Sequence, residues 1–311
     1  MIILLIALLL VAFAFGVGGY LFFAACGRVD IDWLNEAQAL KTPFGKFYKG
    51  IKMGHDWLLE HNAQDVYTES EDGLRLHGLW IPAENAKGTM VLVHGYHSCV
   101  MTDYSVAFPL YYEQGFNLLL PSQRSHGKSQ GKYVTFGVLE SRDMLRWIEY
   151  HNAHFGSQPI IFSGMSMGAS TVMYLAGECL PENVKGFIAD CGFTTPKEII
   201  SQVFRKTTHI PAWTVTWATE LFARCFGHFS LTQKDSRKTL INNTRPILLV
   251  HGLDDDFVPC HMTQQSFDAC GGDKRLLLVE DATHGISFLK AKERYTALVN
   301  DLLKTCLEEK P

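Results

Sequence analysis

The sequence has no C-x-x-C pair, no Cys/His pairing at zinc-ligand spacing and no H-E-x-x-H signature. A structural zinc module and a zincin-type protease are therefore excluded, and neither a metal nor an organic cofactor is expected. Long basic runs are also missing and the formal net charge is −4, which leaves no electrostatic case for nucleic acid. The eight cysteines, Cys26, Cys99, Cys179, Cys191, Cys225, Cys260, Cys270 and Cys306, fall in no pattern. They read as small, mostly buried hydrophobes in a reducing compartment rather than as a disulfide framework.

Charge is absent from Ile2 to Cys26, a run long enough at helical rise to cross a hydrocarbon core. Nothing basic precedes Ile2, as a cleaved signal peptide or a lipoprotein signal would require, and Phe23 stands where a lipobox before Cys26 prefers Leu. Residues 1–27 are accordingly read as an uncleaved transmembrane anchor. Arg28, Lys41, Lys46, Lys49 and Lys52 follow it, so the positive-inside tendency puts the rest of the chain in the cytoplasm, on a single-pass membrane protein. Residues 28–64 form a juxtamembrane linker whose stretch Lys41 to His61 reads as an amphipathic helix, with Phe44, Phe47, Tyr48, Ile51 and Leu58 on one side. Packing against the following domain is the plainer role for that helix, a lipid surface the other.

With 311 residues, 47% of them hydrophobic and 19% charged, the chain can build one large domain beyond the anchor. From Asp65 the pattern is strand-like: Val66–Thr68, a turn at Glu71-Asp72-Gly73, then Leu74–Trp80. Further apolar strands are read at Thr89–Val93, Phe116–Leu120, Ile160–Phe162, Lys185–Asp190, Pro246–Val250 and Arg275–Val279. Helical patterns alternate with them, among them one from about Leu139 to His151. This predicts an α/β fold over residues 65–311, with a mostly parallel central sheet and helices on both faces. The alternation breaks at about residues 192–244, where Phe204, Trp213, Trp217, Leu221, Phe222 and Phe226 mark a small helical cap. Those aromatics either line an acyl pocket or form the cap's own core.

The chain is organised around Pro159–Gly168, an apolar strand running into Gly164-Met165-Ser166-Met167-Gly168. G-x-S-x-G between a strand and a helix is a nucleophile elbow, in which flanking glycines let the two elements close around a strained turn and lift the serine hydroxyl above the sheet. A serine nucleophile needs a base, a group to orient the base, and donors for the developing oxyanion. Downstream, the adjacent carboxylates Asp254, Asp255 and Asp256 follow one strand, and His284 follows the last. The order Ser, Asp, His differs from that of chymotrypsin and subtilisin.

On these motifs the chain resembles the α/β-hydrolases of the broad esterase, lysophospholipase and serine-aminopeptidase-like group, over about residues 65–307. The family's H-G-x-x-D-x-x-V-P motif falls on His251, Gly252, Asp255, Val258 and Pro259, which selects Asp255 among the three aspartates. Its histidine matches His284, and its H-G-x loop matches His94, Gly95 and Tyr96. The resemblance implies that Ser166 attacks a carbonyl, His284 moves the proton, Asp255 orients His284, and the backbone N–H groups of Tyr96 and Met167 hold the oxyanion. Arg124 to Ser129 resembles the family's D-x-R-x-H-G-x-S loop, a scaffold element, with Ser122 where Asp is usual. His94 and His126 are expected as hydrogen-bonded loop residues. The expected activity is hydrolysis of a small-molecule carboxylic ester or thioester. A serine peptidase of the same fold, using Glu198 or Glu220 to hold a substrate amine, is the alternative, and a non-catalytic binding scaffold a third reading. The natural substrate and the oligomeric state are not encoded in these patterns.

Overall fold

The structure, a computed structural model, describes residues 1–42 and 44–308. Pro43 and the last three residues of the expected hydrolase domain, 309–311, lie outside the described residues.

The first helix, α1 (Ile2–Cys26), runs the length of the uncharged segment. A short run then leads to α2 (Tyr48–Glu60), which starts later than the expected Lys41 because a 3-10 turn occupies Gly45–Phe47. Its apolar side buries Ile51 and Leu58 while Lys49 and Lys52 stay exposed. That side faces the protein: Trp33, Ala39 and Ile51 cluster with Cys99 and Met101.

Eight strands make one sheet, β1 (Gln64–Glu69), β2 (Arg75–Ile81), β3 (Thr89–Val93), β4 (Asn117–Pro121), β5 (Ile160–Met165), β6 (Val184–Asp190), β7 (Ile247–Gly252) and β8 (Lys274–Val279), in the order β1-β2-β4-β3-β5-β6-β7-β8. The β1–β2 hairpin and the β2–β4 pair are antiparallel, and every later pair is parallel. The connecting helices used below are α3 (Val100–Tyr104), α4 (Glu140–Phe155), α5 (Met167–Leu175), α6 (Pro196–Thr208), α7 (Trp213–Phe222), α8 (His261–Ala269) and α9 (Lys292–Leu307).

Because successive side chains on a strand point to opposite faces, each apolar run feeds two cores. Met90, Leu92, Leu118, Leu120, Leu248 and Val250 pack under α9 and α3 on one face. Val91, Val93, Leu119, Phe162, Ile247 and Leu249 pack under α4 and α5 on the other. All central strands therefore end at the same edge, where crossovers open into loops and ligand sites form.

Between β6 and β7 the chain is helical, with α6, α7 and a π-turn at Ala223–Gly227. Here the aromatics depart from the expectation. Phe204 is buried, but Trp213 is 75% exposed and Trp217, Leu221 and Phe226 are also exposed. They point outward and so do not fill the cap's core, and Trp213 edges an open surface groove with Arg205 and Gln265.

Candidate active site

Ser166 sits on the corner between β5 and α5 with φ 55° and ψ −116°. A positive φ on a residue with a Cβ is strained, by about 1–3 kcal/mol, and persists only where the surroundings over-determine it. Two contacts do so. The Ser166 N–H donates to the Asp190 carbonyl at 2.8 Å. The first turn of α5 lies so close to β3 that a Cβ on Gly168 would fall 2.0 Å from the Val93 carbonyl oxygen and 2.7 Å from that of His94. Only glycine permits that approach.

The loops after β7 and β8 bring their side chains to this corner. The Ser166 Oγ lies 2.9 Å from His284 Nε2, and His284 Nδ1 lies 2.7 Å from Asp255 Oδ2. Asp255 Oδ1 accepts the N–H groups of Phe257 and Val258, and His251 Nε2 approaches Oδ2 at 3.1 Å. Burial alone would raise the Asp255 carboxyl, but the hydrogen bonds from His251 and His284 outweigh it and hold the group well below the usual carboxylate range. An ionised carboxylate only accepts, so Nδ1 of His284 carries the proton and Nε2 turns a lone pair toward the Ser166 hydroxyl. The neighbouring aspartates differ: Asp254 is exposed, and Asp256 pairs with Lys206 at 2.6 Å.

Tyr96 and Met167 flank the serine. The loop carrying Tyr96 is close enough that a Cβ on Gly95 would lie 3.2 Å from that of Ser166. Among the described residues, the N–H groups of Tyr96 and Met167 donate to no backbone carbonyl, as expected for the first residue of a helix in the case of Met167. Three bonds fix the Tyr96 loop. The Gly95 N–H donates to Asp103 Oδ2 at 2.6 Å, the Ser98 hydroxyl donates to Asp103 Oδ1 at 2.6 Å, and the Tyr96 hydroxyl donates to the Ala25 carbonyl at 2.8 Å. Burial pushes the Asp103 carboxyl up to about 6, against the pull of those donors.

Of the other histidines, His94 is buried, and desolvation takes it down to about 4, so it is neutral. It bonds the Gly95 carbonyl and accepts the Gln123 N–H, while His126 accepts the His97 N–H. Arg124 forks onto Asp143 and Asp72, which anchors the loop that follows it. Ser122, where the family's pattern has Asp, faces His77 at 3.2 Å. Cys191, Asp255 and His284 each present one possible metal-ligand atom within 4.8 Å of one another. Burial drives the Cys191 thiol far up, so it supplies no thiolate, and the other two are engaged with each other.

Three supporting residues escaped sequence reasoning. His251 was visible only as a motif position; in the structure it is fully buried between Thr263, Val258 and Asp255. Asp190, at the end of β6, is fully buried, with Ser287 as the donor to Oδ1 and, among the described residues, no partner for Oδ2. Asp103 lies on α3, a helix too short to carry a pattern.

Known proteins agree with this architecture. A family model described as the alpha/beta hydrolase fold matches residues 88–215. The Bacillus subtilis protein YqkD, described only as uncharacterised, is 25% identical over 255 residues, covering 78% of this chain and 83% of its own. The Pyrococcus furiosus esterase Pf2001 superposes with a TM-score of 0.65 at 22% identity, over 80% of this chain and 95% of its own. Est1E from Butyrivibrio proteoclasticus, solved with ferulic acid bound, gives a TM-score of 0.59 at 17% identity, over 77% of this chain and 99% of its own. The doubly covered sheet, the strand-to-helix corner at Ser166 and these likenesses together show that the chain has the α/β-hydrolase fold.

Proposed function

We propose that the protein is a membrane-anchored serine hydrolase that cleaves a carboxylic ester or thioester through an acyl-enzyme on Ser166. The observation that carries this reading is the unbroken hydrogen-bonded chain from Ser166 through His284 to Asp255. In this mechanism His284 Nε2 takes the hydroxyl proton as Oγ attacks the carbonyl carbon. The N–H groups of Tyr96 and Met167 receive the oxyanion, and the proton passes from His284 to the leaving oxygen or sulfur. Water, activated by the same imidazole, then releases the acid. Asp255 keeps the tautomer that makes each transfer possible.

An ester is favoured over a peptide because the two cap carboxylates suited to holding an amine are already engaged. Glu198 pairs with Arg237 and accepts from Thr194. Glu220 accepts from Arg224, the Ser230 hydroxyl and the Leu231 N–H. The uncharged α1 supports a membrane anchor, since it is long and apolar enough to cross a bilayer. The cations after it support a cytoplasmic hydrolase domain.

Labelling of the full chain with a fluorophosphonate probe tests the reading, followed by rates on p-nitrophenyl esters of increasing acyl length. Wild type should label and turn over, and Ser166→Ala should do neither while keeping its melting curve. Equal labelling of the variant would remove Ser166 from the mechanism.

A further inference from the structure

The exposed aromatics of the cap are not scattered around it. Trp213, Trp217 and Leu221 lie on α7, and Phe226 lies on the turn that follows. The one charged residue on α7, Glu220, is half-buried and is paired with the exposed Arg224 on the next turn, with Ser230 and Leu231 as further donors. An exposed face this apolar on a water-soluble domain normally marks an interaction surface.

What covers it follows from its neighbour. α7 packs directly on α1, at a distance only small residues allow: a Cβ on Gly18 would fall 2.4 Å from the Ala218 Cβ and 2.9 Å from the Val215 carbonyl oxygen. Close backbone approach through glycine and alanine is how helices pack within bilayers. Phe15 and Phe22 both stack near Phe222, with ring centroids 5.0 and 6.3 Å apart, and Phe15 also meets Trp217 at 6.2 Å. Val17 and Leu21 pack on Ala212 and Val215 at the other end of α7. Contacts from Ala212 to Phe226 thus return to one stretch of α1, from Phe15 to Phe23. If α1 spans a bilayer with its first charges at Arg28 and Asp30, residues 15–23 lie in the half of the bilayer nearest those charges, and α7 lies at that level with them. On α1 itself, Phe15, Tyr20 and Phe23 remain exposed beside α7, continuing the apolar surface of Ile2–Phe13 without a charge.

We infer that α7 is a second membrane element: it lies in the bilayer interface with Trp217, Leu221 and Phe226 against acyl chains and Trp213 among the headgroups, and the lipid bilayer is the partner of the cap. This rests on the reading of α1 as an anchor. The two indoles suit such a site. The Trp217 Nε1–H already donates to the Thr214 carbonyl at 3.0 Å and needs no water, whereas Trp213, at the start of α7, belongs at headgroup level.

The test uses the full chain in phosphatidylcholine vesicles that carry bromine either near the head or near the end of the acyl chain, with tryptophan emission as the readout. Trp213 and Trp217 are two of six tryptophans, so about a third of the emission should be quenched, more by shallow than by deep bromine. That part should vanish in Trp213→Phe/Trp217→Phe, which keeps the surface apolar. Protein that survives an alkaline wash yet shows no quenching, or quenching equal in the double variant, overturns the proposal while leaving the anchor in place. Cross-linked dimers together with unquenched emission would instead assign the face to a second copy. Release by the alkaline wash overturns the anchor and this proposal with it, and fluorophosphonate labelling, which reads the hydrolase assignment, is indifferent to all of these outcomes.

Discussion

Replacing Asp190 by asparagine should remove a loss of stability that the wild type suffers as pH rises through the range between about 4 and 6. The Asp190 side chain is fully buried, its Oδ1 accepts from the Ser287 hydroxyl at 3.1 Å, and its Oδ2 has no partner among the described residues. Burial therefore pushes the carboxyl up to about 6 from 3.8, despite the opposing pull of His251, Ser287 and His284. A raised carboxyl binds its proton more tightly folded than unfolded. The native state is thus favoured below the unfolded value and loses that advantage as pH climbs through the folded one. Two pKa units correspond to about 3 kcal/mol, developed between about pH 4 and pH 7. Asparagine keeps the shape and an oxygen for Ser287 but does not ionise. Its own unpaired amide lowers stability by an amount that does not depend on pH, so the diagnostic is a difference between two pH values. Melting of both proteins in detergent should show the variant gaining on wild type by of the order of 6 °C between pH 4 and pH 7.5. Neighbouring His251, His284 and Asp255 are common to both proteins, so the difference between them reads Asp190. A gap between the two curves that stays constant with pH would refute the reasoning.

Two further substitutions probe the candidate site. Asp255→Asn should lower kcat/KM on p-nitrophenyl esters by about 10⁴-fold by spoiling the His284 tautomer, whereas Asp254→Asn, at an exposed position, should change it less than about two-fold; the reverse ranking would move the orienting carboxylate by one residue. Tyr96→Phe deletes only the hydroxyl that donates to the Ala25 carbonyl, so it should cost about 1 kcal/mol in holding the loop and lower kcat several-fold with KM little changed. An unaltered kcat would show that the loop is held without α1.

Local signals carried much of the architecture. The strands are legible because parallel strands covered on both faces are written as short unbroken apolar runs, and the hairpin because Glu71-Asp72-Gly73 sits between two alternating stretches. Ser166 is legible because the elbow needs glycine on both sides, and a motif alone singled out Asp255 from its neighbours. What escaped depends on contacts between distant segments. Nothing in their local sequence marks Asp103 or Asp190 as a supporting carboxylate, because only the fold supplies their partners. The outward turn of Trp213 and Trp217 escaped for another reason, since an apolar stripe on a helix does not say whether protein or lipid will cover it. The same ambiguity hid the docking of α1: Gly18 and Phe22 look alike whether their neighbours are acyl chains or α7.

The junction between α1 and the body has a consequence for how the chain is made. Gly27 bridges Tyr133 antiparallel, with the Arg28 N–H donating to the Lys132 carbonyl at 2.9 Å and the Val134 N–H donating to that of Cys26 at 2.7 Å. The Arg28 guanidinium reaches the Ser129 and Gly127 carbonyls as well. During synthesis residues 26–28 emerge long before residues 127–134, and chains generally fold from the N-terminus onward. On the proposed reading of α1 as an anchor, that helix is in the bilayer before residues 127–134 leave the ribosome. The loop at residues 127–134 then docks onto a helix end that is already in place, so the proposed anchor also serves as a template for the middle of the chain.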